Sequence, residues 1–252
     1  MPIPSSRLDA AALRRRLARR LRWQQAINDP IADPRNQSVT LPRLRAWQAK
    51  RLADGFADFL AVPSIRPAAE FFLSDLYADR DFSGRDRDAA RLLPMIARVL
   101  PPSLLAAACD TIELAVLSHA FDLSMAAALA RRRSLQAEIS PEDYGVAYRR
   151  AGCPRLRRHQ VGLILRVGAG LDAAVKKHGV YRLLRAARTP ARVAGLAELQ
   201  GFLERGFGAF EALGGADYFL AEIGRREYEI SRRLFAAAAD PFGPIQPNSS
   251  SR

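Results

Sequence analysis

Apolar residues recur three to four positions apart along almost the whole chain, which is the spacing of one face of an α-helix. In the first such segment, about residues 7–27, Ala10, Leu13, Leu17 and Leu21 form a narrow apolar stripe between arginines. A stripe of this width suits docking onto another helix better than insertion into a bilayer. Alanine and leucine dominate the composition and β-branched runs are absent, so the pattern predicts a helical protein.

The longest predicted helix spans about residues 103–133 and is apolar on two faces, which is typical of a helix in the middle of a bundle. One of these faces consists of Leu105, Cys109, Ile112, Val116, His119 and Leu123. A strong helix-start signal lies at Ser140-Pro141, followed by two acidic residues. The predicted fold class is all-α, a single multi-helix bundle of about nine or ten helices with a long central helix.

The chain divides into three parts by composition. We interpret residues 1–40 as a basic N-terminal helix followed by a proline-rich linker, and residues 41–239 as the helical core domain. Residues 240–252 carry three prolines among serine and asparagine, and this predicts a disordered tail. No run of 18 apolar residues and no signal-peptide core occurs, so we expect no transmembrane segment and a location in the bacterial cytoplasm. An organelle presequence is the alternative reading of the arginine-rich start.

Charge is concentrated in two segments. The 252 residues carry 39 Lys+Arg and 26 Asp+Glu, a net charge of +13. Residues 1–28 hold seven arginines and one aspartate, and residues 149–192 hold ten arginines and two lysines against one aspartate, so the rest of the chain is slightly acidic. Such segments attract nucleic acid, an acidic protein or an anionic lipid surface. The candidate contacts are Arg14, Arg15, Arg19, Arg155, Arg157 and Arg158.

Other observations favour a plain solvated surface. Arginine-rich coding supplies surface arginines without any phosphate contact, and arginine stems cover apolar helix surface. Only Tyr148 and Tyr181 interleave the second basic segment, which argues against a stacking platform for single strands. The leading hypothesis is a non-enzymatic binding protein whose basic segments face an anionic partner.

The densest group of acids lies in residues 75–88, which hold five aspartates. Asp75 and Asp79 are four residues apart, the spacing that metal-dependent prenyl-chain enzymes use for Mg²⁺, so a Mg²⁺-dependent enzyme is one alternative. Interleaved arginines favour instead a structural corner formed by Asp75, Asp79, Asp81, Arg85 and Asp86. Asp110 and Glu113 are the only candidates for opposing metal ligands.

His119 lies on the apolar stripe of the long helix, one turn before Asp122. A histidine in this position could ligate haem iron in a globin-like bundle, which makes a haem or small-ligand pocket a second alternative. A buried histidine is more commonly hydrogen-bonded, here to Asp122 or a backbone carbonyl. The remaining histidines and the two cysteines are dispersed, and no cofactor is predicted.

Glycines are frequent in two helical segments, at Gly162, Gly168, Gly170, Gly201, Gly206 and Gly208. No strand precedes them and no Gly-Lys-Ser/Thr end follows, so they do not form a phosphate loop. Close helix packing is the better interpretation.

The run Phe71-Phe72-Leu73-Ser74-Asp75-Leu76-Tyr77, followed by Asp81-Phe82 and Arg85-Asp86, resembles a signature of uncharacterised proteobacterial helical proteins. The segment ELQGFLERGFGAF at 198–210 is similar to the C-terminal part of that family. The resemblance covers about residues 65–235 and implies no activity. It implies that the corner at 75–86 is a network that defines the fold, with Phe71, Phe72 and Tyr77 packed beneath it.

Overall fold

The chain forms helices close to the predicted positions. The structure, a computed structural model, describes residues 9–76, 97, 102–132, 138–177, 185–186, 188–193 and 197–245. The helices are α1 (Ala10–Asn28), α2 (Thr40–Gly55), α3 (Ala57–Ala61), α4 (Arg66–Phe71), α5 (Pro102–Ala130), α6 (Pro141–Ala151), α7 (Pro154–Val175), α8 (Arg188–Val193), α9 (Ala197–Leu213) and α10 (Asp217–Phe235). A 3₁₀ turn lies at Pro34–Gln37, and a π-helical turn at Phe72–Leu76 follows α4 directly.

The long helix α5 lies in the middle of the bundle, in contact with α1, α2, α6 and α7. No strand occurs among the residues that the structure describes. The predicted all-α fold with a long central helix is therefore confirmed.

Local capping explains where two of the helices start. Ser140 Oγ accepts a hydrogen bond from the backbone nitrogen of Asp143 at 3.1 Å, and Asp143 Oδ2 accepts one from the backbone nitrogen of Ser140 at 3.1 Å. This capping box satisfies two backbone N–H groups that have no partner within the helix. Asp9 caps α1 in a similar way, because its carboxylate accepts from the backbone nitrogen of Ala11 at 2.9 Å. The helix-start signal at Ser140-Pro141 is confirmed.

One predicted helix is broken in two. The pattern predicts a single helix over about residues 44–60, but α2 ends at Gly55 and α3 starts at Ala57. Glycine has a low helix propensity, and Phe56 buries its side chain in the core at this break. Because α2 already starts at Thr40, the segment between α1 and α2 is also shorter than the predicted linker.

The predicted disordered tail is wrong for residues 240–245. The ring of Phe242 lies 5.5 Å from that of Trp47 and 5.8 Å from that of Tyr144, between ring centroids. Ile245 packs against the same cluster. The described core therefore continues past residue 239, because these two apolar side chains find partners inside the bundle. Residues 246–252 lie outside the described part of the chain.

Buried side chains form three clusters. The first is rich in phenylalanine and includes Phe56, Phe59, Phe71, Phe72, Phe210 and Phe219. The second joins α2, α5, α6 and α10. The third contains Leu13, Leu17 and Leu21 of α1 packed against Leu105, Cys109 and Ile112 of α5. The leucine stripe of α1 thus docks on another helix of the same chain.

Part of α5 is apolar enough to cross a membrane by length and composition alone. Leu105–Ala130 has a mean hydropathy of 1.4, and it is the one such helix among the described residues. In the bundle 44% of its most apolar stretch is buried, and the core helix of a helical bundle meets the same criterion.

Glycines permit close helix contacts at some of the predicted positions. A Cβ atom at Gly206 of α9 would lie 2.8 Å from Phe71 Cζ and 3.3 Å from two further ring atoms. A Cβ atom at Gly168 of α7 would overlap the Leu220 side chain. Gly208, two residues after Gly206, has nothing within 4 Å of the equivalent position.

This difference predicts opposite effects for two neighbouring substitutions in α9. We expect Gly206→Ala to reduce the free energy of unfolding by about 1–3 kcal/mol, because the buried Phe71 ring has to move. Gly208→Ala should raise it by about 0.5–1 kcal/mol, because alanine restricts the unfolded chain and favours helix. Urea denaturation of both variants measures this, and shifts of the same sign would contradict the packing described for Gly206.

Candidate anionic-partner surface

Helix α1 runs parallel to α5. Leu13 near the start of α1 lies beside Cys109, whose Sγ is 3.6 Å from the Leu13 carbonyl oxygen. Asn36, beyond the end of α1, is hydrogen-bonded to His119 farther along α5. Helix α1, which holds six of the seven arginines of the first basic segment, therefore lies along the N-terminal half of the central helix.

Arg20 is a buried cation at the contact between α1 and α5, with 5% of its surface exposed. Its guanidinium donates to the carbonyl oxygen of Cys109 at 3.0 Å and pairs with the carboxylate of Glu113. Arg16, one turn earlier, lies 3.3 Å from Glu113 Oε2 and 3.7 Å from Asp110 Oδ1. Two carboxylates of α5 thus neutralise the inner arginines of α1.

Helix α7 runs antiparallel to α5 and reaches the same pair of carboxylates. Arg166 Nε donates to Asp110 Oδ2 at 3.0 Å, whereas Gln160, nearer the start of α7, donates to Ser118 Oγ at 2.8 Å. The part of the second basic segment that forms α7 therefore lies beside a stretch of α5 that overlaps the one next to α1.

Glu113 joins the two basic segments. His159 Nε2 of α7 lies 3.0 Å from Glu113 Oε1, while Arg20 of α1 binds the other oxygen. Burial acts to raise the pKa of Glu113, but the hydrogen bond from His159 and the charges of Arg20 and Arg16 outweigh it and lower the pKa below its usual value. Glu113 therefore stays ionised and holds α1 and α7 together over α5.

Further cations point away from this junction into solvent. We call the exposed residues Arg15, Arg19 and Arg22 of α1 and Arg155 and Arg158 of α7 the arginine surface. Arg15 lies 3.8 Å from Asp9 with its side chain 73% exposed, and this is a weak surface pair. Arg14 is also exposed, and its Nε donates to the carbonyl oxygen of Ala97 at 2.9 Å.

Arg157 is not available as a partner contact, in contrast to the sequence prediction. It is 5% exposed, and its guanidinium carbon lies 3.6 Å from the ring centroid of Phe121 and 4.2 Å from that of Tyr148. Nη2 also lies 3.0 Å from the sulfur of Met125. These aromatic faces stabilise the cation, so Arg157 belongs to the core, whereas its neighbour Arg158 is exposed.

His119 is hydrogen-bonded through both ring nitrogens. Arg45 Nη2 lies 2.7 Å from Nδ1, and because a guanidinium only donates, Nδ1 is the acceptor. Nε2 therefore carries the hydrogen and donates to Asn36 Oδ1 at 2.8 Å. Burial, followed by the charge of Arg45, lowers the pKa of His119 to about 4, so the ring is neutral near neutral pH. Neither ring nitrogen is left for haem iron unless one of these bonds breaks.

Asp122 belongs to the same network. Arg45 Nε and Gln48 Nε2 each lie 3.3 Å from one of its carboxylate oxygens. Burial raises the pKa of Asp122, and the charge of Arg45 opposes this. His119 and Asp122 thus share Arg45 as a partner instead of bonding to each other, and the network ties the turn before α2 to the central helix.

The remaining candidate residues are less informative. Asp75 falls in the π-helical turn, and residues 79, 81, 85 and 86 lie outside the described part of the chain, as do Tyr77 and Tyr181. Phe71 and Phe72 are buried. Over the described ranges, no group of three or more His, Cys, Asp or Glu side chains could hold a metal ion.

Sequence reasoning overlooked two features of this region. The sequence pattern suggests Asp110 and Glu113 only as metal ligands, whereas in the structure they pair with arginines of α1 and α7. Two acids on an otherwise apolar helix, in a chain with arginine-rich helices, are the signal for that role. Trp23, within the first basic segment, is 55% exposed, and the guanidinium carbon of Arg19 lies 5.6 Å from its ring centroid.

Fold and surface together define an all-α bundle protein in which two arginine-rich helices are joined through acidic residues of a central helix. The chain belongs to the family described as domain of unknown function (DUF8198), whose model matches residues 28–241. That match supports the expectation of a family without an assigned activity, and the FFLSDLY signature itself remains a prediction. No curated protein and no solved structure matches the chain significantly.

Proposed function

We propose that the protein is a non-enzymatic binding protein that contacts an anionic partner through the arginine surface of α1 and α7. The observation that carries the proposal is the junction at Glu113, where both basic segments bond to one carboxylate. Because of this junction, two stretches of positive charge that are far apart in the sequence act as one surface.

The internal acids do not neutralise this surface. Asp110 and Glu113 pair with Arg16, Arg20, Arg166 and His159, all of which face α5. Within the described part of the chain, no carboxylate lies within salt-bridge distance of Arg19, Arg22, Arg155 or Arg158. Guanidinium groups in solvent bind phosphate and carboxylate groups, and their attraction extends over about 10 Å at moderate salt.

A binding series over ionic strength tests the proposal. The probes are labelled oligo(dT), duplex DNA, polyglutamate and phosphatidylserine vesicles, each measured from low to high salt. We expect at least one probe to bind at low salt, with log affinity falling linearly with log salt concentration. Absence of binding to all four probes at low salt rejects the proposal.

Two triple variants that remove the same charge distinguish binding by the arginine surface from an effect of net charge. Arg19→Gln, Arg22→Gln and Arg155→Gln together should reduce the salt slope by about two for the bound probe. Lys50→Gln, Arg66→Gln and Arg232→Gln remove the same charge at exposed positions outside both basic segments, on α2, α4 and α10, and should change the slope little. Equal effects of the two triples would show that net charge, and not the arginine surface, is responsible.

A further inference from the structure

Trp23 is a large aromatic side chain that is exposed to solvent and surrounded by arginines in the sequence of α1. It is 55% exposed, and Arg19, which covers part of its ring, belongs to the arginine surface. Trp47, by contrast, is stacked on Tyr144 with 4.3 Å between the ring centroids. The two tryptophans of the chain therefore have opposite environments.

The helix directions place Trp23 on the same side of Glu113 as two cations of α7. Trp23 follows Arg16 by seven residues and Arg20 by three, so it lies on the side of α1 that faces the carboxylates shared with α7. Since α1 is parallel and α7 antiparallel to α5, Trp23 and the turn before His159 both lie on the C-terminal side of Glu113 along α5, where Arg157 contacts Phe121 and Met125. That turn holds Arg155 and Arg158.

We infer that the partner of the arginine surface is a single-stranded nucleic acid, with a base stacked on Trp23 and phosphates bound by the flanking arginines. This inference rests on the proposed function. Single strands need both a cationic track for the backbone and an exposed aromatic face for an unpaired base, and α1 and α7 supply both. A base pair in a duplex has no free face for such stacking.

The other anionic partners fit the surface less well. A lipid surface would engage an amphipathic helix through its apolar face, but Leu13, Leu17 and Leu21 of α1 are buried against α5. An acidic polypeptide would use the arginines and leave the ring of Trp23 in water.

Binding of labelled oligo(dT) and of duplex DNA to the full-length chain tests the inference. We expect Trp23→Ala to weaken oligo(dT) binding about tenfold and to leave duplex binding unchanged. Trp23→Phe keeps an aromatic face and should restore most of the lost affinity. The intrinsic emission of the native chain should fall when oligo(dT) is added, whereas that of Trp23→Phe should not, because the remaining Trp47 is packed on Tyr144.

The possible results distinguish a failure of the single-strand inference from a failure of the proposed function. An equal affinity of native chain and Trp23→Ala for oligo(dT) overturns the inference, and so does tighter binding of polyglutamate or vesicles than of oligo(dT). In both cases binding to an anionic partner still stands. Absence of binding to every polyanion at low salt overturns the proposed function as well. Trp23 is exposed, so both variants should keep the native circular dichroism spectrum, and this is the folding control.

Discussion

Arg20→Ala should lower the free energy of unfolding by about 3 kcal/mol. The residue lies in a basic segment, for which the sequence alone indicates solvent-exposed charges. In the folded chain this guanidinium is enclosed between α1 and α5, where it bonds to the carbonyl oxygen of Cys109 and the carboxylate of Glu113. Its removal leaves a half-buried carboxylate with fewer partners and a carbonyl without its side-chain donor.

Arg19→Ala is the matched control for Arg20→Ala. It removes an arginine from the same turn of α1, but Arg19 is exposed, so the expected change is within about 0.5 kcal/mol. Urea denaturation of both variants gives the comparison. Similar losses for Arg19→Ala and Arg20→Ala would contradict the buried position of Arg20.

A double variant tests whether the loss comes from the pair itself. Arg20→Ala combined with Glu113→Ala should cost less than the sum of the two single changes, because neither partner is then left behind. Additive losses would mean that the pair with Glu113 contributes little, and that Arg20 stabilises the fold through its bond to the Cys109 carbonyl oxygen and the packing of its stem.

Phe72→Ala should be the other strongly destabilising change, by about 3–5 kcal/mol. The ring is buried in the phenylalanine-rich cluster, in edge contact with Phe56 and Phe219 at centroid distances of 6.2 and 6.4 Å. Its removal leaves a cavity that the surrounding helices fill only in part.

His119→Leu should cost less than Phe72→Ala, about 1–3 kcal/mol. It keeps an apolar side chain on α5 but leaves Arg45 and Asn36 without their histidine partner. Tyr218→Ala at the exposed edge of the phenylalanine-rich cluster is the control and should change stability by less than about 1 kcal/mol. A larger loss for His119→Leu than for Phe72→Ala in the same denaturant series would mean that the polar network around His119 stabilises the fold more than the phenylalanine-rich cluster does.

Features that depend on a few neighbouring residues could be predicted from the sequence. The capping box at Ser140 and Asp143 forms as its residue types indicate, because both partners lie within one helical turn. The two apolar faces of α5 indicate a central helix, because a helix has to bury each apolar face against something. The helical class of the chain follows from the same reasoning.

Features that depend on distant partners could not be predicted in this way. Phe242 lies in a segment rich in proline and serine, and it is half-buried because it packs on Trp47 and Tyr144, which are distant in the sequence. His119 is bonded to Arg45 and Asn36, neither of which is near it in sequence. Nothing local distinguishes these residues from others of their type.

The sequence by itself determined the helical class, the central helix and the presence of two arginine-rich segments, because periodicity and composition are local properties. Only the tertiary structure decided what each arginine does. Arg19 and Arg20 are neighbours, as are Arg157 and Arg158, yet in each pair one side chain is buried and the other is exposed. The physical reason is that successive residues of a helix point about 100° apart, so packing against α5 and its neighbours, and not charge, selects which cation turns inward.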